Sequence, residues 1–459
     1  MADFHVEAAQ WAEANFGNCE LGDARRTRRA VKVAQQMAEH PDGNTPAQCQ
    51  KWADLKAAYR FFDTDEVTFQ ALAEPHWKQT RRQARGTVLL IGDTMSTHFG
   101  NHRKIEGLKQ ANNGQARGFL LHSSLMVEAD TGEIIGLAGQ ELLYQQPAPR
   151  RKSSYPRLKR SRESEVWGRV IDLVGPPASK TQYIHVFDRG ADNIEVFCHL
   201  FEQQSDWIIR AAQLRRAVYD EGDQRVSVND LLARQPVLGT YELTVRRDRK
   251  HPSRTATLEV RVAEATIRRG YRATRYLKEQ GFEELTQCLV EVREINPPSG
   301  VVPLRWVLWT SLSVASFEEA WQVIEYYERR WLIEEFHKAI KTGCRLESRQ
   351  YTETNRLEEV AGLMSVLAVR LVQMKTIARS KPDLPANMVV PRLWLEMLRL
   401  LRKRPQIQTV RDFFRHLAGL GGFLMRKSDG EPGWITIWRG VEKLTLGIRG
   451  YEAMRNKCG

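Results

Sequence analysis

The chain has 459 residues, with 69 Lys+Arg against 56 Asp+Glu for a net charge of +13. Its 42% hydrophobic content and its 12 Trp, 12 Tyr and 16 Phe can fill several cores, so an ordinary globular chain rather than disorder is expected, and the basic surplus favours a polyanionic partner. No stretch approaches the roughly 18 apolar residues of a membrane span, no signal core opens the chain, and the six scattered cysteines lack metal-ligand spacing, so a cytoplasmic protein with reduced thiols is expected.

Residues 1–85 read as helical. Asp23 can cap a helix whose apolar side is Val31, Val33, Ala34 and Met37, and Pro41 stops it. Further helices are expected near Cys49–Phe61 and Phe69–Arg85. From Thr87 the pattern changes. TVLLIGD is a short apolar run ending in an acid, as in a buried strand. Phe119–Ala129 and Glu133–Leu143 flank Asp130-Thr131-Gly132 as a hairpin. Pro147–Arg162 is a basic loop, followed by a helix at Glu163–Val174, a strand at Gln182–Asp188, a helix at Asn193–Gln204 and a strand at Trp207–Ala212. This order predicts an α/β layer architecture. Residues 213–312 turn β-rich, with strands expected at Tyr241–Arg246, Thr255–Val262, Leu289–Ile295 and Trp306–Leu312, and read as an inserted subdomain. A long helix is expected from Phe317 to Lys341. The remainder, about 355–456, reads as helical with loops near Pro382–Pro385 and Ser428–Gly433.

Two acids, Asp93 and Asp188, follow apolar strands, and strand ends are where α/β sheets expose functional groups. Asp192 reads as the cap of the helix after it. Tyr327, Arg330, Glu334, Lys338 and Lys341 are spaced 3, 4, 4 and 3, so they share one polar face of a helix. A solvated stripe of ion pairs is the alternative for that face. Two Asp and one Glu supply hard oxygen ligands for Mg²⁺. Two such ions can activate a hydroxyl and stabilise a leaving oxygen at a phosphodiester, and the bases around them suit a nucleic acid.

The stretch YERRWLIEEFHKAIK has the form Tyr-x2-Arg-x3-Glu-x6-Lys and resembles the signature of bacterial DDE transposases of the cut-and-paste, hairpin-forming group. Only a start at Tyr327 fits, since Tyr326 would put Ile333 in the acid position. The resemblance runs through LGDARRTRRAVKVA, LLIGDT, VFDRGADN, INPPSGVVPLRW, LEEVAGLMSVLAVRLVQMK, and LGGF followed by Trp434 and Trp438. Within this group the chain is similar to transposases of composite antibiotic-resistance transposons.

The resemblance implies a ribonuclease-H-like mixed-sheet catalytic core at 86–345 carrying the β-rich insertion. A helical DNA-end-recognition domain at 1–85 and a helical dimerisation and synapsis domain at 346–459 would flank it. Asp93, Asp188 and Glu334 would be the triad holding two Mg²⁺, with Mn²⁺ able to substitute. Tyr327, Arg330, Lys341 and Lys338 would grip phosphates of the transposon end, and Arg210 is a weaker phosphate contact. Trp306 would stack on a base flipped from a DNA hairpin, a core tryptophan being the alternative. Arg25, Arg26, Arg29 and Lys32, helped by Arg60, would read the end sequence, a solvated basic face being the alternative. Trp434, Trp438, Val441, Leu444 and Ile448 form an apolar stripe. The resemblance reads it as a synapsis surface, with intramolecular packing as the alternative. The implied partners are double-stranded DNA, as transposon ends and target, and a second copy of the chain in a synaptic complex. The implied setting is the bacterial cytoplasm. A nuclease that cuts without joining, a DNA-binding regulator with a dead site, and a carboxylate glycosidase are the competing classes.

Two departures stand out. Gly190 occupies a position where the group carries Glu. The segment 150–162 holds seven bases (Arg150, Arg151, Lys152, Arg157, Lys159, Arg160 and Arg162) and no acid, where the resemblance leads one to expect acids. If these bases touch phosphates, replacing them with neutral residues will flatten the salt dependence of DNA binding by about 0.9 in log–log slope for each phosphate no longer neutralised. Filter binding across a salt series is the check, and an unchanged slope would remove the idea.

Overall fold

The computed structural model describes residues 8–41, 43–49, 51–100, 104–109, 111, 117–144, 163–245, 253–270, 274–426 and 429–458. The basic segment 150–162 lies outside them. Among the described residues eleven strands form a single sheet. They are β1 (Gly86–Ser96), β2 (Leu120–Glu128), β3 (Ile134–Leu143), β4 (Thr181–Phe187), β5 (Asp206–Arg210), β6 (Ala217–Tyr219), β7 (Arg225–Ser227), β8 (Gly239–Val245), β9 (Arg254–Arg268), β10 (Glu284–Ile295) and β11 (Arg305–Thr310).

The spatial order is β3-β2-β1-β4-β5-β11-β10-β9-β6-β7, with β8 on β9. β1, β2 and β3 are an antiparallel meander, while β1, β4 and β5 run parallel. This is the mixed, ribonuclease-H-like core expected. β1 and β4 read as continuous apolar runs because both faces of the parallel part are covered. On one face lie the helices Val166–Val174 and Ile194–Glu202. On the other lie Phe69–Gln83 and the 27-residue helix Thr354–Ser380. That helix is long and apolar enough to cross a membrane, contrary to the expectation that no segment is. It is instead the mostly buried core helix of the fold.

The β-rich insertion is not a separate layer. β11 pairs antiparallel with β5, setting Leu308 opposite Arg210, and β10 and β9 continue the same sheet. The short strands β6 and β7 and the helices Val228–Ala233 and Arg275–Glu279 were too brief to leave a periodic signal.

In the N-terminal region Asp23 caps Ala24–Glu39 as expected, accepting from the Arg25 N–H at 2.6 Å. The helix expected over Cys49–Phe61 is instead Thr45–Gln48 followed by Trp52–Phe61.

The long helix expected from Phe317 to Lys341 is broken. Phe317–Glu328, started by a Ser316/Glu319 capping box, ends at Arg329. Arg330, Leu332 and Ile333 donate N–H bonds to carbonyls three residues back, so the chain tightens before Trp331–Lys338 begins. The Arg329 guanidinium anchors this turn on the carbonyls of Glu128 and Asp130, at 3.4 and 2.9 Å. A π-turn, Ala339–Gly343, then carries Lys341. The one-face reading by spacing alone therefore needs this correction.

At the C-terminal end Arg392–Leu401, Val410–Leu420 and Trp434–Cys458 enclose their own core. Val441, Leu444 and Ile448 are buried within it, so these three pack inside the chain rather than forming a surface for a second copy. The side chains of Trp434 and Trp438 lie outside the described residues. The LGGF glycine Gly421, together with Gly440, lets two helices touch backbone to backbone. A Cβ on Gly421 would lie 1.9 Å from the Thr436 carbonyl oxygen, and one on Gly440 would lie 1.9 Å from that of Leu417. Gly440→Ala is therefore expected to cost about 1–3 kcal/mol of packing energy. Hydrogen exchange over 386–458 will report it as earlier opening. Gly450→Ala, whose Cβ would meet nothing within 4 Å, is the control.

Candidate active site

The parallel pairing of β1 with β4 sets Ile91 opposite Val186. Continuing that register brings Gly92 alongside Phe187 and Asp93 alongside Asp188. Neighbouring strands lie about 4.8 Å apart, so the two carboxylates start from adjacent rungs. Asp188 directly follows its strand, as expected. Asp93 does not end its strand: β1 runs on to Ser96 against β2, with Asp93 opposite Ser123. β1 outlasts its parallel neighbour, and the acid sits where the parallel part stops.

Glu334 arrives on Trp331–Lys338, which buries Ile333 and Phe336 completely. Arg330 joins the set together. Its guanidinium lies 3.5 Å from Asp93 and bonds Glu334 at 2.5 Å. Burial pushes the Asp93 carboxyl up to about 6, with the nearby charges of Asp188 and Glu334 acting the same way and the Thr94 N–H and Arg330 opposing. Tyr327 is buried, which raises its hydroxyl, and it hydrogen-bonds Arg210.

Beside these groups is a cavity of about 180 Å³ lined by Trp306, Arg210, Tyr327, Arg330, Tyr241 and Trp331 among others. Trp306 is half-buried on β11, with its ring against the core and the cavity. Trp331 was missed by sequence reasoning although it is 60% exposed here. Its signal was an exposed aromatic one residue past Arg330 on an otherwise polar face. Tyr241 sits on β8, far away in sequence, and only the pairing of β8 with β9 brings it in.

The other sequence candidates are dispersed. Lys341 faces Glu347 at 3.8 Å. Lys338 is exposed, and its charge is felt by Lys375 rather than by the aspartates. In the N-terminal region Arg26 binds Glu66 at 2.8 Å and the Leu21 carbonyl, and Arg29 faces Asp54 at 3.4 Å, while Arg25, Lys32 and Arg60 are exposed. Asp192 does not cap the next helix. Asn193 does, and Asp192 accepts from the Ala212 and Gln213 N–H groups and from Arg216. That ties the loop after β4 to the loop after β5.

Three carboxylates whose charges act on one another are hard oxygen donors suited to a divalent cation. Among the described residues no three acidic, His or Cys side chains close on one point as a finished ligand set. Arg330 stands between Asp93 and Glu334 and balances their charge. The donor chemistry fits a divalent cation, with Asp93, Asp188 and Glu334 as the residues that would hold it.

The raised Asp93 gives a stability prediction. At pH 8 without divalent ions its carboxylate is ionised both folded and unfolded, and the fold disfavours the charge. Near pH 4 it is protonated in the fold, so the penalty fades as pH falls from about 6 toward the ordinary 3.8. Asp93→Asn should stabilise the protein at pH 8 by at most about 3 kcal/mol, at roughly 1.4 kcal/mol per tenfold change in proton affinity. Most of that gain should vanish at pH 4. Denaturant titrations in EDTA at the two pH values decide it, and a gain independent of pH would refute the cause given.

Comparison with known families agrees with the geometry. Residues 8–67 match the transposase DNA-binding family model, and residues 158–370 match the transposase DDE domain, which takes in Asp188 and Glu334. Residues 366–458 match the Tn5 transposase dimerisation domain. A DNA-binding region, a DNA-cleaving and strand-transferring region on a mixed sheet, and a dimerisation region follow one another along the chain, which belongs to the DDE transposases.

Proposed function

We propose that this transposase works by cut-and-paste through a DNA hairpin, with Asp93, Asp188 and Glu334 as its triad. One strand is nicked at the transposon end, water supplying the new phosphate oxygen and leaving a 3′-hydroxyl. That hydroxyl attacks the opposite strand and closes a hairpin, releasing flanking DNA. Water reopens the hairpin, and the 3′-hydroxyl then joins target DNA. Every step is an in-line displacement at one phosphodiester, so one site serves for all. Two bound Mg²⁺, which Mn²⁺ can replace, would polarise the phosphate and ease deprotonation of the attacking hydroxyl.

The observation that carries this reading is the aromatic and cationic cavity next to the carboxylates. A tight hairpin forces a base out of the stack, and a site that makes hairpins needs a place for it beside the scissile phosphate. Trp306 offers the stacking face there. Arg330 and the Tyr327–Arg210 pair present donors to the neighbouring phosphate, and Lys341, eleven residues past Arg330 on the π-turn, is a contact proposed further along the DNA. Arg25, Lys32 and Arg60, exposed in the DNA-binding region, are the contacts proposed for the end sequence, with Arg26 and Arg29 on the same helix. The dimerisation domain would pair two protomers, and so two ends. Among the described side chains of its last helix, Leu446, Tyr451 and Met454 are large, hydrophobic and exposed.

The test uses a plasmid whose marker is flanked by the element's ends, with products resolved on denaturing gels. Hairpin-ended excised DNA is expected with Mg²⁺ or Mn²⁺, and none with EDTA or with Glu334→Ala. Trp306→Ala should keep nicking but lose hairpins about 5- to 150-fold, since stacking is worth about 1–3 kcal/mol per base. Metal-dependent nicks without hairpins or joints in the parent chain would overturn the reading.

A further inference from the structure

We propose that Trp167 is a positioning residue that fixes the spacing of Asp93 and Asp188 from behind the sheet. The inference rests on the reading of those two acids as cation ligands. Trp167 opens the helix Val166–Val174 and is buried against the sheet face opposite the catalytic helix. Its six-membered ring occupies the space where a side chain on Gly92, beside Asp93 in β1, or on Gly190, in the turn after Asp188, would stand. A Cβ on Gly92, the residue before Asp93, would lie 3.4 Å from Trp167 Cζ3 and only 2.4 Å from the Phe187 ring. A Cβ on Gly190 would lie 3.2 Å from Trp167 Cζ2 and 3.0 Å from Asp188 Oδ1. At Gly92 the room is needed by the Phe187 ring with Trp167 behind it, and at Gly190 by the Asp188 carboxylate and the Trp167 ring together.

This aromatic layer also holds the acids through hydrogen bonds. The Thr94 N–H donates to Asp93 Oδ1 at 2.7 Å, and the Thr94 hydroxyl is bonded to His122 Nδ1 at 2.7 Å. His122 packs edge-to-face on Trp167 at 4.5 Å, and Trp167 on Phe187 at 4.9 Å. In the turn after β4 the Gly190 N–H donates to Asp188 Oδ1 at 2.7 Å. One indole therefore packs behind both acids, and a backbone N–H beside each acid, that of Thr94 or of Gly190, aims its carboxylate. Groups that orient ligands in this way tune cation affinity about 10–100-fold. The absence of a side chain at position 190, a departure in the sequence, keeps a Cβ from crowding both this ring and Asp188 Oδ1.

The experiment is a double-mutant cycle on the full chain with Trp167→Phe and Gly190→Ala. Mn²⁺ affinity without DNA is read by electron paramagnetic resonance, beside the thermal midpoint and DNA binding in EDTA. Each single change should weaken Mn²⁺ binding about tenfold while DNA binding holds. In the Trp167→Phe background Gly190→Ala should add little, because the smaller ring yields room for the Cβ. Phe197→Leu, which truncates another ring of the same core, should lower the thermal midpoint without moving Mn²⁺ affinity. Independent, multiplying effects, or Mn²⁺ affinity that merely follows the thermal midpoint in all variants, would overturn the proposal. Asp93→Asn and Asp188→Asn separate the two readings. If they abolish Mn²⁺ binding while the cycle shows no coupling, only the role of Trp167 falls. If they leave Mn²⁺ affinity intact, the ligand assignment falls and the role of Trp167 with it.

Discussion

Asp93, Asp188 and Glu334 repel one another, and the fold must hold them together without a bound cation. Arg330 makes this possible. It spans Asp93 and Glu334 from a helix start at which the chain has just tightened. Had the helix run unbroken from Phe317, Arg330 and Glu334 would simply be a surface i,i+4 pair of little energetic consequence. The break turns that pair toward the sheet, where partial burial strengthens each charge–charge term. Asp93 is still raised, chiefly by burial and to a lesser degree by the charges of Asp188 and Glu334. A cation would relieve both effects at this position.

The continuity of the sheet is the second consequence. Because β11 pairs directly with β5, the strand that carries Trp306 is built on the strand that carries Arg210. Trp306 and Arg210 of the cavity wall and the two aspartates therefore stand on, or directly after, neighbouring strands of one sheet, in the order β1, β4, β5, β11. A loosely tethered insertion could supply the same residues but not their fixed distance from the reacting phosphate, and positioning is what limits in-line displacement.

Much of this was legible in the sequence, and the reasons differ by element. The apolar runs of β1 and β4 gave themselves away because both faces are buried, and the Asp130–Gly132 turn announced its hairpin. The register of Tyr327, Arg330 and Glu334 selected the three side chains that the structure gathers around the cavity and the acids. What failed was local backbone detail. Helical periodicity cannot see the tightened turn at Arg330 or the π-turn at Ala339–Gly343, since both keep the spacing while changing the direction. Asp192 looked like a helix cap because the loop that it binds, around Ala212, is 20 residues away. The stripe ending at Val441, Leu444 and Ile448 had the pattern of any apolar helix face, and no pattern says whether the partner is the same chain. Trp167 carried no signal at all: its meaning lies in two glycines far apart in sequence, one in β1 and one in the turn after β4.

The adjacent acids Glu334 and Glu335 show how packing completes what register begins. They are about 100° apart on the helix, so they cannot share an environment. Glu335 turns to the long core helix, where the nearly buried Lys375 bonds it and Arg379 stands at 3.7 Å. Removing either member of such a buried pair costs about 3–5 kcal/mol, so this pair pins the rotation of the helix. With Glu335 fixed on one side and Ile333 and Phe336 filling the core, Glu334 has one direction left, toward Arg330 and Asp93. The acid that looks redundant in the sequence is thus what commits its neighbour to the site.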